Sequence, residues 1–136
     1  MRTAEIVTSF LEHGGKILIL KRSGSVRTYR GLWAGVSGSI EKGETPLEAA
    51  AREIAEETGL AKDEFRLEKE GRRFSMVDSG LGVRWNIKPF LFSVKADGIT
   101  IDKEHTEYRW IEPGDVSKYD TVPKLAESLR RVLGKG

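Results

Sequence analysis

The chain has 136 residues, 38% hydrophobic and 32% charged, the balance of a globular protein with a heavily ionised surface, and at this length a single core can bury about 68% of the unfolded surface. Twenty-three basic against 21 acidic residues leave a net charge of +2, too even to mark a nucleic-acid partner. With no cysteine there is no disulfide framework, no apolar run approaches the ~20 residues that span a bilayer, and the opening Met1-Arg2-Thr3-Ala4-Glu5 lacks a signal peptide's apolar core. One cytoplasmic domain over residues 1–136, with no membrane partner, is the expectation.

In chain order, residues 3–11 and 16–22 read as two strands joined at His13-Gly14-Gly15, where the glycines supply hairpin geometry. Residues 23–30 are polar and basic around Gly24, which predicts a loop. Residues 32–38 alternate large and small side chains and predict one strand. A helix follows over 45–58, with Pro46 in its first turn, Glu48 near the positive end of its dipole and Gly59 as its left-handed stop. On this helix Leu47, Ala50, Ala51, Ile54 and Thr58 form a stripe that can pack on a sheet. Glu53, Glu56 and Glu57 fall on the adjoining stripe, with small Ala49 one turn away leaving room for a ligand, while Glu44 and Glu48 point to neither.

Strands are predicted over 65–70, 72–77 and 83–94, with a short one over 108–111. A closing helix is predicted over 121–133, capped by Thr121 or Asp120, with Pro123 in its first turn and Leu125, Leu129 and Val132 on one side. The pattern is that of an α/β fold, a mixed sheet flanked by two helices. Strand order does not follow from it.

The chemistry concentrates in Arg52-Glu53-Ile54-Ala55-Glu56-Glu57. Carboxylates at i, i+3 and i+4 share one helix face and repel one another. A hard divalent cation offsets that repulsion, because carboxylate oxygens suit Mg²⁺, Mn²⁺ or Ca²⁺. Taken alone, such a cluster is more often a solvated acidic stripe. Here it belongs to a longer pattern, Gly-x5-Glu-x7-Arg-Glu-(apolar)-x-Glu-Glu-x-Gly-(apolar), filled by Gly38, Glu44, Arg52, Glu53, Ile54, Glu56, Glu57, Gly59 and Leu60. With each fixed letter at ~7%, a chance match is on the order of 10⁻⁸ per starting position.

That pattern is the Nudix box, and the chain resembles the Nudix hydrolase family, MutT-like members included. The resemblance implies a Nudix-type α/β/α sandwich, with the box helix and a C-terminal helix on either side of the sheet. It implies Glu53, Glu56 and Glu57 as ligands of Mg²⁺, for which Mn²⁺ can substitute, with the backbone carbonyl of Gly38 completing the coordination. Glu53 or a more distant glutamate then helps to activate water. Arg52 can pair with Glu56 or Glu48 at i±4, which gives it an orienting role in the catalytic set. Glu44 lies off the metal face and is read as structural support.

A second acidic segment, Glu104-His105-Thr106-Glu107-Tyr108-Arg109-Trp110, is similar to the one that brings a distant glutamate to the metal in some Nudix enzymes. Glu104 is the candidate fourth carboxylate and general base, and Glu107 the runner-up; a polar loop edge is the alternative. His105 is read as a surface residue and Trp110 as core. For the substrate, Arg22, Arg27, Arg30, Arg72, Arg73, Arg84 and Lys88 can supply phosphate contacts, and Tyr29, Trp33, Phe74 and Trp85 can stack a base. The 23–30 loop is the best placed of these. Residues 61–88 hold neither proline nor tyrosine, so the family markers of ADP-ribose and of dinucleoside polyphosphate hydrolases are both missing. The absence of cysteine argues against the isopentenyl diphosphate isomerase branch.

The resemblance therefore implies a Mg²⁺-dependent hydrolase of a nucleoside diphosphate linked to another group. Nucleoside triphosphates or dinucleoside polyphosphates come first as substrates, ADP-ribose or nucleotide sugars second. The competing class is a non-catalytic nucleotide-sensing module. An RNA-directed enzyme would call for a more basic surface. The expected partner is a small nucleotide, and a homodimer is left open.

Overall fold

The computed structural model describes residues 1–133. Strands β1 (Arg2–His13) and β2 (Lys16–Arg22) form an antiparallel hairpin through Glu12↔Ile17 and His13↔Lys16. Gly14 and Gly15 turn it at φ 59° and 81°, values that side chains bearing a Cβ resist. The short strands β3 (Trp33–Ala34) and β4 (Val36–Ser39) lead into helix α1 (Pro46–Thr58). Beyond it come β5 (Phe65–Glu70), β6 (Phe74–Asp78), β7 (Val83–Val94), β8 (His105–Ile111) and helix α2 (Leu125–Val132). Short 3-10 turns occupy Lys62–Glu64 and Pro113–Lys118. Among the described residues no helix is long and apolar enough to cross a membrane.

The sheet is mixed, in the order β3-β2-β1-β7-β5. Its centre is the parallel pair β1 and β7, in register from Arg2↔Val83 to Glu12↔Ser93. Each central strand divides its other edge between two antiparallel neighbours. β4 takes Ile6 to Ser9 of β1 while β2 takes its end, and β6 and β5 take the two halves of β7. β8 runs along the outer side of β2.

Side chains alternate between sheet faces along a strand, so the sheet has a core on each side. Val7, Leu11, Leu18, Leu20, Phe90 and Phe92 pack against Ala49, Ala50 and Ile54 of α1. Phe10, Ile17, Ile19 and Leu91 pack against Leu125, Leu129 and Val132 of α2. The expected mixed sheet between the box helix and a C-terminal helix is the observed architecture.

The predicted strand over 32–38 is two. Trp33 and Ala34 pair with β2, and Val36 to Ser39 pair with β1. The crossing falls at Gly35, where a Cβ would stand 2.9 Å from the Ser9 carbonyl oxygen. The strand expected over 72–77 begins two residues later, and the one over 108–111 begins at His105. Helix α2 starts at Leu125, not at 121. Trp33 N–H donates to Asp120 O and Val122 N–H to Trp33 O, both at 2.9 Å, which holds residues 120–122 beside β3. Pro123 thus precedes the helix, and Lys124 turns the chain into it at φ 66°.

Helix α1 fills the predicted span except for Thr45, which stands before it as the N-cap, and it stops at Gly59 as its sequence predicts. Thr45 Oγ1 accepts from Glu48 N–H at 3.1 Å, and Glu48 Oε1 accepts from Thr45 N–H at 2.8 Å, a reciprocal capping box. Gly59, at φ 73°, donates to Ala55 O. Its buried face differs from the predicted one. Ala49, Ala50, Ile54, Glu57 and Thr58 are buried, whereas Leu47 is 40% exposed and Ala51 only half-buried. The buried arc is turned toward the glutamates. Ala49 is core, leaving no ligand space there, and Glu57 is carried into the interior.

Candidate active site

The segment between β4 and α1 is stapled to the helix by Arg52. Its Nε and Nη2 donate to the two oxygens of Glu44 at 2.7 and 3.0 Å, the bidentate fork that suits guanidinium to carboxylate. Nη2 also donates to Ser39 O at 3.0 Å, and Nη1 reaches Glu53 at 3.1 Å and Glu56 at 3.4 Å. Glu41 lies 3.8 Å away. The Arg52 fork holds the Glu44 carboxyl down to about 2, and Glu44 in return raises the Arg52 guanidinium. Of the two partners predicted for Arg52, Glu56 is found and Glu48 is not, because Glu48 closes the helix cap. Its principal partner is Glu44, reached across the loop.

Glu53 lies against Gly38 so closely that a Cβ at Gly38 would overlap its carboxylate. Only glycine at 38 leaves room for the Glu53 carboxylate in this position. Gly38→Ala is expected to abolish most activity while the far-ultraviolet circular dichroism stays native. Full activity in that variant would dissociate the Gly38–Glu53 approach from function.

Glu57 is 2% exposed. Burial pushes its carboxyl well above the carboxylate range, neighbouring Glu53 and then Asp102 push it further, and the Ser37 backbone N–H opposes them. Glu53 is raised too, by burial first and by Glu56, with Glu57 and Arg52 pulling it down. Glu57 Oε1 has no hydrogen-bond partner. A buried Glu57 carboxyl beside the half-buried Glu53, with one oxygen unmet, is a donor set short of positive charge, and hard oxygen donors fit a divalent cation. As they stand, no three His, Cys, Asp or Glu side chains among the described residues are gathered closely enough to hold an ion. Glu56 is exposed and drawn onto Arg52.

Behind Glu57 stands His105, only 8% exposed. Its Nδ1 is 2.6 Å from Asp102 Oδ1 and its Nε2 3.7 Å from Glu57 Oε1. The surface placement expected for His105 is corrected by β8, which begins at this residue and pairs His105 with Arg22. Trp110 is half-buried against the α1-side core, its Nε1 donating to Asp97 O at 2.8 Å.

A cleft of about 720 Å³ opens beside this end of α1. Gly38, Arg52, Glu53, Glu56 and Glu104 line one end, and Arg22, Arg27 and Tyr29 stand along it. Ile6, Met76, Trp85 and Ile87 form an apolar floor on the α2 face of the sheet. Arg22 Nε donates to Thr28 O at 3.0 Å. Burial lowers the Arg22 guanidinium, while the charges of Glu57 and Glu104 raise it. Glu107 lies off the cleft, paired with Lys21 and Arg109.

Several predicted phosphate and base contacts lie elsewhere. Arg30 turns from the cleft and donates to Val26 O at 2.6 Å. Arg73 pairs with Glu5, Lys88 donates to Gly71 O, and neither Arg72 nor Arg84 reaches the cleft wall. Trp33 is buried with its ring 5.5 Å from Tyr119 and under Arg109, and Phe74 lies under Arg131. Thr8 and Ser37, bonded to each other at 3.2 Å, line the cleft without having been singled out. Their small polar side chains carry no sequence signal that separates them from ordinary strand residues.

A mixed sheet between two helices, with a glutamate-bearing helix and a glycine-fitted strand end at its cleft, defines a known class of hydrolase fold. A protein-family model described as NUDIX domain matches residues 2–132. A nucleoside triphosphatase NudI of Klebsiella pneumoniae subsp. pneumoniae is 30% identical, covering 98% of this chain and 100% of that protein. Its namesake from Escherichia fergusonii is 30% identical over 88% and 89% of the two chains. The crystal structure of a MutT protein from Methanosarcina mazei Go1 superimposes with a TM-score of 0.80 at 24% identity, over 96% and 92% of the chains. That of an Ap4A hydrolase from C. elegans does so at 0.75 and 20%, over 96% and 94%. The chain belongs to the Nudix family and is a hydrolase acting on phosphoanhydrides.

Proposed function

We propose that this enzyme is a Mg²⁺-dependent pyrophosphohydrolase, active as one cytoplasmic domain over residues 1–136. Its substrate is a nucleoside diphosphate linked to another group, a nucleoside triphosphate first. The observation that carries the reading is the buried Glu57 carboxyl, its Oε1 without a hydrogen-bond partner, beside a Glu53 that lines an arginine-lined cleft. The relatives named as nucleoside triphosphatases support the choice of substrate.

In this reading Glu53, Glu56, Glu57, Glu104 and the Gly38 carbonyl hold Mg²⁺, with Mn²⁺ as a substitute. The bound ion would neutralise phosphate oxygens and lower the pKa of a coordinated water. Arg52, at the end of the cleft, keeps Glu53 and Glu56 in place and has an orienting role. Glu104 is the proposed proton acceptor for the attacking water, since its side chain lines the cleft outside the Arg52 network. Arg22 and Arg27 meet the phosphates, and the Trp85 ring offers a stacking surface to the base. Burial of Arg22 strengthens its attraction for an anion.

A hydrolysis panel of nucleoside triphosphates, dinucleoside polyphosphates, ADP-ribose and nucleotide sugars tests this, with Mg²⁺ or with chelator, in ¹⁸O-labelled water. Triphosphates should be the best substrates, with turnover lost on chelation and the label showing which phosphorus is attacked. Undiminished turnover in chelator would remove the metal from the proposal. Preferential cleavage of ADP-ribose would replace the substrate class.

A further inference from the structure

The basic loop over 23–30 is closed on itself at its root and tied down at its tip. At the root Gly31 N–H donates to Arg22 O and Arg22 N–H to Leu32 O, both at 2.9 Å. At the tip the Tyr29 hydroxyl donates to Asp78 Oδ2 at 2.6 Å and accepts from Trp85 Nε1 at 3.2 Å. The two rings are 6.3 Å apart, inclined at 50°. Asp78 Oδ1 meanwhile accepts from Leu81 N–H at 3.1 Å, so one carboxylate holds both the turn between β6 and β7 and the loop across from it. Asp78 lies outside the glutamate cluster and none of its contacts involves the box.

Tyr29 is one of two non-glycine residues among those described with positive φ, at 54°. A bulky aromatic side chain in that region costs free energy and persists only where its surroundings fix it. The bond to Asp78 is such a restraint, a hydroxyl on a carboxylate at the short end of the range. Burial and the Asp78 bond raise the Tyr29 hydroxyl to about 12, so the donor proton stays in place at any physiological pH.

The restraint is transmitted to the cleft through one residue. Thr28 precedes Tyr29, and its carbonyl oxygen receives Arg22 Nε. Arg22 is the half-buried guanidinium that faces Glu57 and Glu104. Trp85, the other partner of Tyr29, forms part of the apolar floor. We propose that Asp78 and Tyr29 form a latch that positions Arg22 and the Trp85 ring for a nucleotide's phosphates and base, setting affinity without entering the chemistry. The Tyr29 ring thereby acts through its hydroxyl and not, as its sequence suggests, as a free stacking platform. The inference rests on the cleft being the nucleotide site.

Three measurements on the full chain test the latch. Hydrogen exchange of the metal-free protein reads the loop with no substrate present. Equilibrium binding of an ATP analogue bearing a methylene bridge between its α and β phosphorus atoms, with Mg²⁺, reads affinity without turnover. Steady-state kinetics separate KM from kcat. Tyr29→Phe keeps the ring and removes one hydroxyl. It should speed exchange across residues 23–31, weaken analogue binding and raise KM about tenfold, with kcat within about threefold. Asp78→Asn should do the same, and the double variant should be no worse than either single one, because both break one connection. Unchanged loop exchange, unchanged affinity, additive losses or a loss confined to kcat would each overturn the latch. Should no nucleotide be hydrolysed by the wild type, exchange and analogue binding still decide it.

Discussion

Replacing Glu57 with glutamine is expected to give a protein that is more heat-stable without metal and nearly inactive. The side chain is almost isosteric, so packing against the sheet survives. What changes is charge. The Glu57 carboxyl is raised well above its ordinary value of 4.5 by burial and by the facing Glu53. A group whose folded-state pKa lies above its unfolded value favours the folded protein at pH below the unfolded value. That contribution is lost as pH climbs through the folded pKa. From about pH 4.5 upward, the metal-free wild type therefore gives up stability that a glutamine keeps. The glutamine oxygen can still accept the Ser37 N–H, and its amide can donate to Glu53. The thermal midpoint of Glu57→Gln should exceed that of the wild type by a few degrees near pH 8, and the gap should close on acidification toward pH 4.5.

Divalent metal should reverse the order, because binding to the folded state alone stabilises it by mass action. Wild type then gains a large Mn²⁺- or Mg²⁺-dependent rise in midpoint, and the variant little. Loss of one charged donor from a phosphoryl-transfer site should cost on the order of 10²-fold in kcat. Thermal denaturation across pH, with metal and with chelator, reads the first effect, and product formation the second. A metal-free Glu57→Gln protein less stable than wild type at pH 8 would mean that the carboxylate is already compensated within the fold.

The stop at Gly59 was legible because capping chemistry is local, its partner Ala55 lying four residues back. Thr45 reads in the sequence as helix and Glu48 as a dipole charge, whereas the two close a capping box. Strand 83–94, like the Gly59 stop, was legible locally, its aromatic and β-branched residues favouring a pleated, buried setting. The break at Gly35 was not, since it depends on which of β1 and β2 the chain meets next. The start of α2 was likewise hidden. Nothing within 121–124 announces that Trp33, nearly ninety positions away, will hold Asp120 and Val122 in extended form.

At the site, the box set Glu53, Glu56 and Glu57 on one stripe but carried no signal that Glu57 alone is buried. A helix wheel treats a carboxylate as outward-facing by default, and Glu57 is inward. His105 was set aside by the same assumption, although Asp102 three residues earlier is the partner that makes its burial tolerable. Basic residues gave the weakest signal of all. Arg22 and Arg30 look alike in the chain, and only folding turns one into the cleft and the other away from it.

Arg52 yields the second large effect, which depends on shape as much as on charge. Arg52→Lys keeps a cation on α1 but loses the fork that meets both Glu44 oxygens and the reach to Ser39 O. The loop between β4 and α1 then keeps the Thr45–Glu48 cap but loses the bonds that tie Ser39 and Glu44 to the helix, and Glu53 and Glu56 lose a common partner. Affinity for Mn²⁺, measured by electron paramagnetic resonance, should fall with kcat/KM, each by about 10–100-fold. Acid stability should change in step. Glu44 is held at about 2 against an ordinary 4.5, so its stabilising contribution is present above pH 4.5 and lost as pH falls toward 2. A lysine that grips Glu44 less well moves that loss up toward pH 4.5, and thermal midpoints between pH 6 and 2.5 report it. Wild-type Mn²⁺ affinity in Arg52→Lys, with an unshifted acid limb, would show that a point charge suffices. The bidentate geometry would then have no part in holding the glutamates.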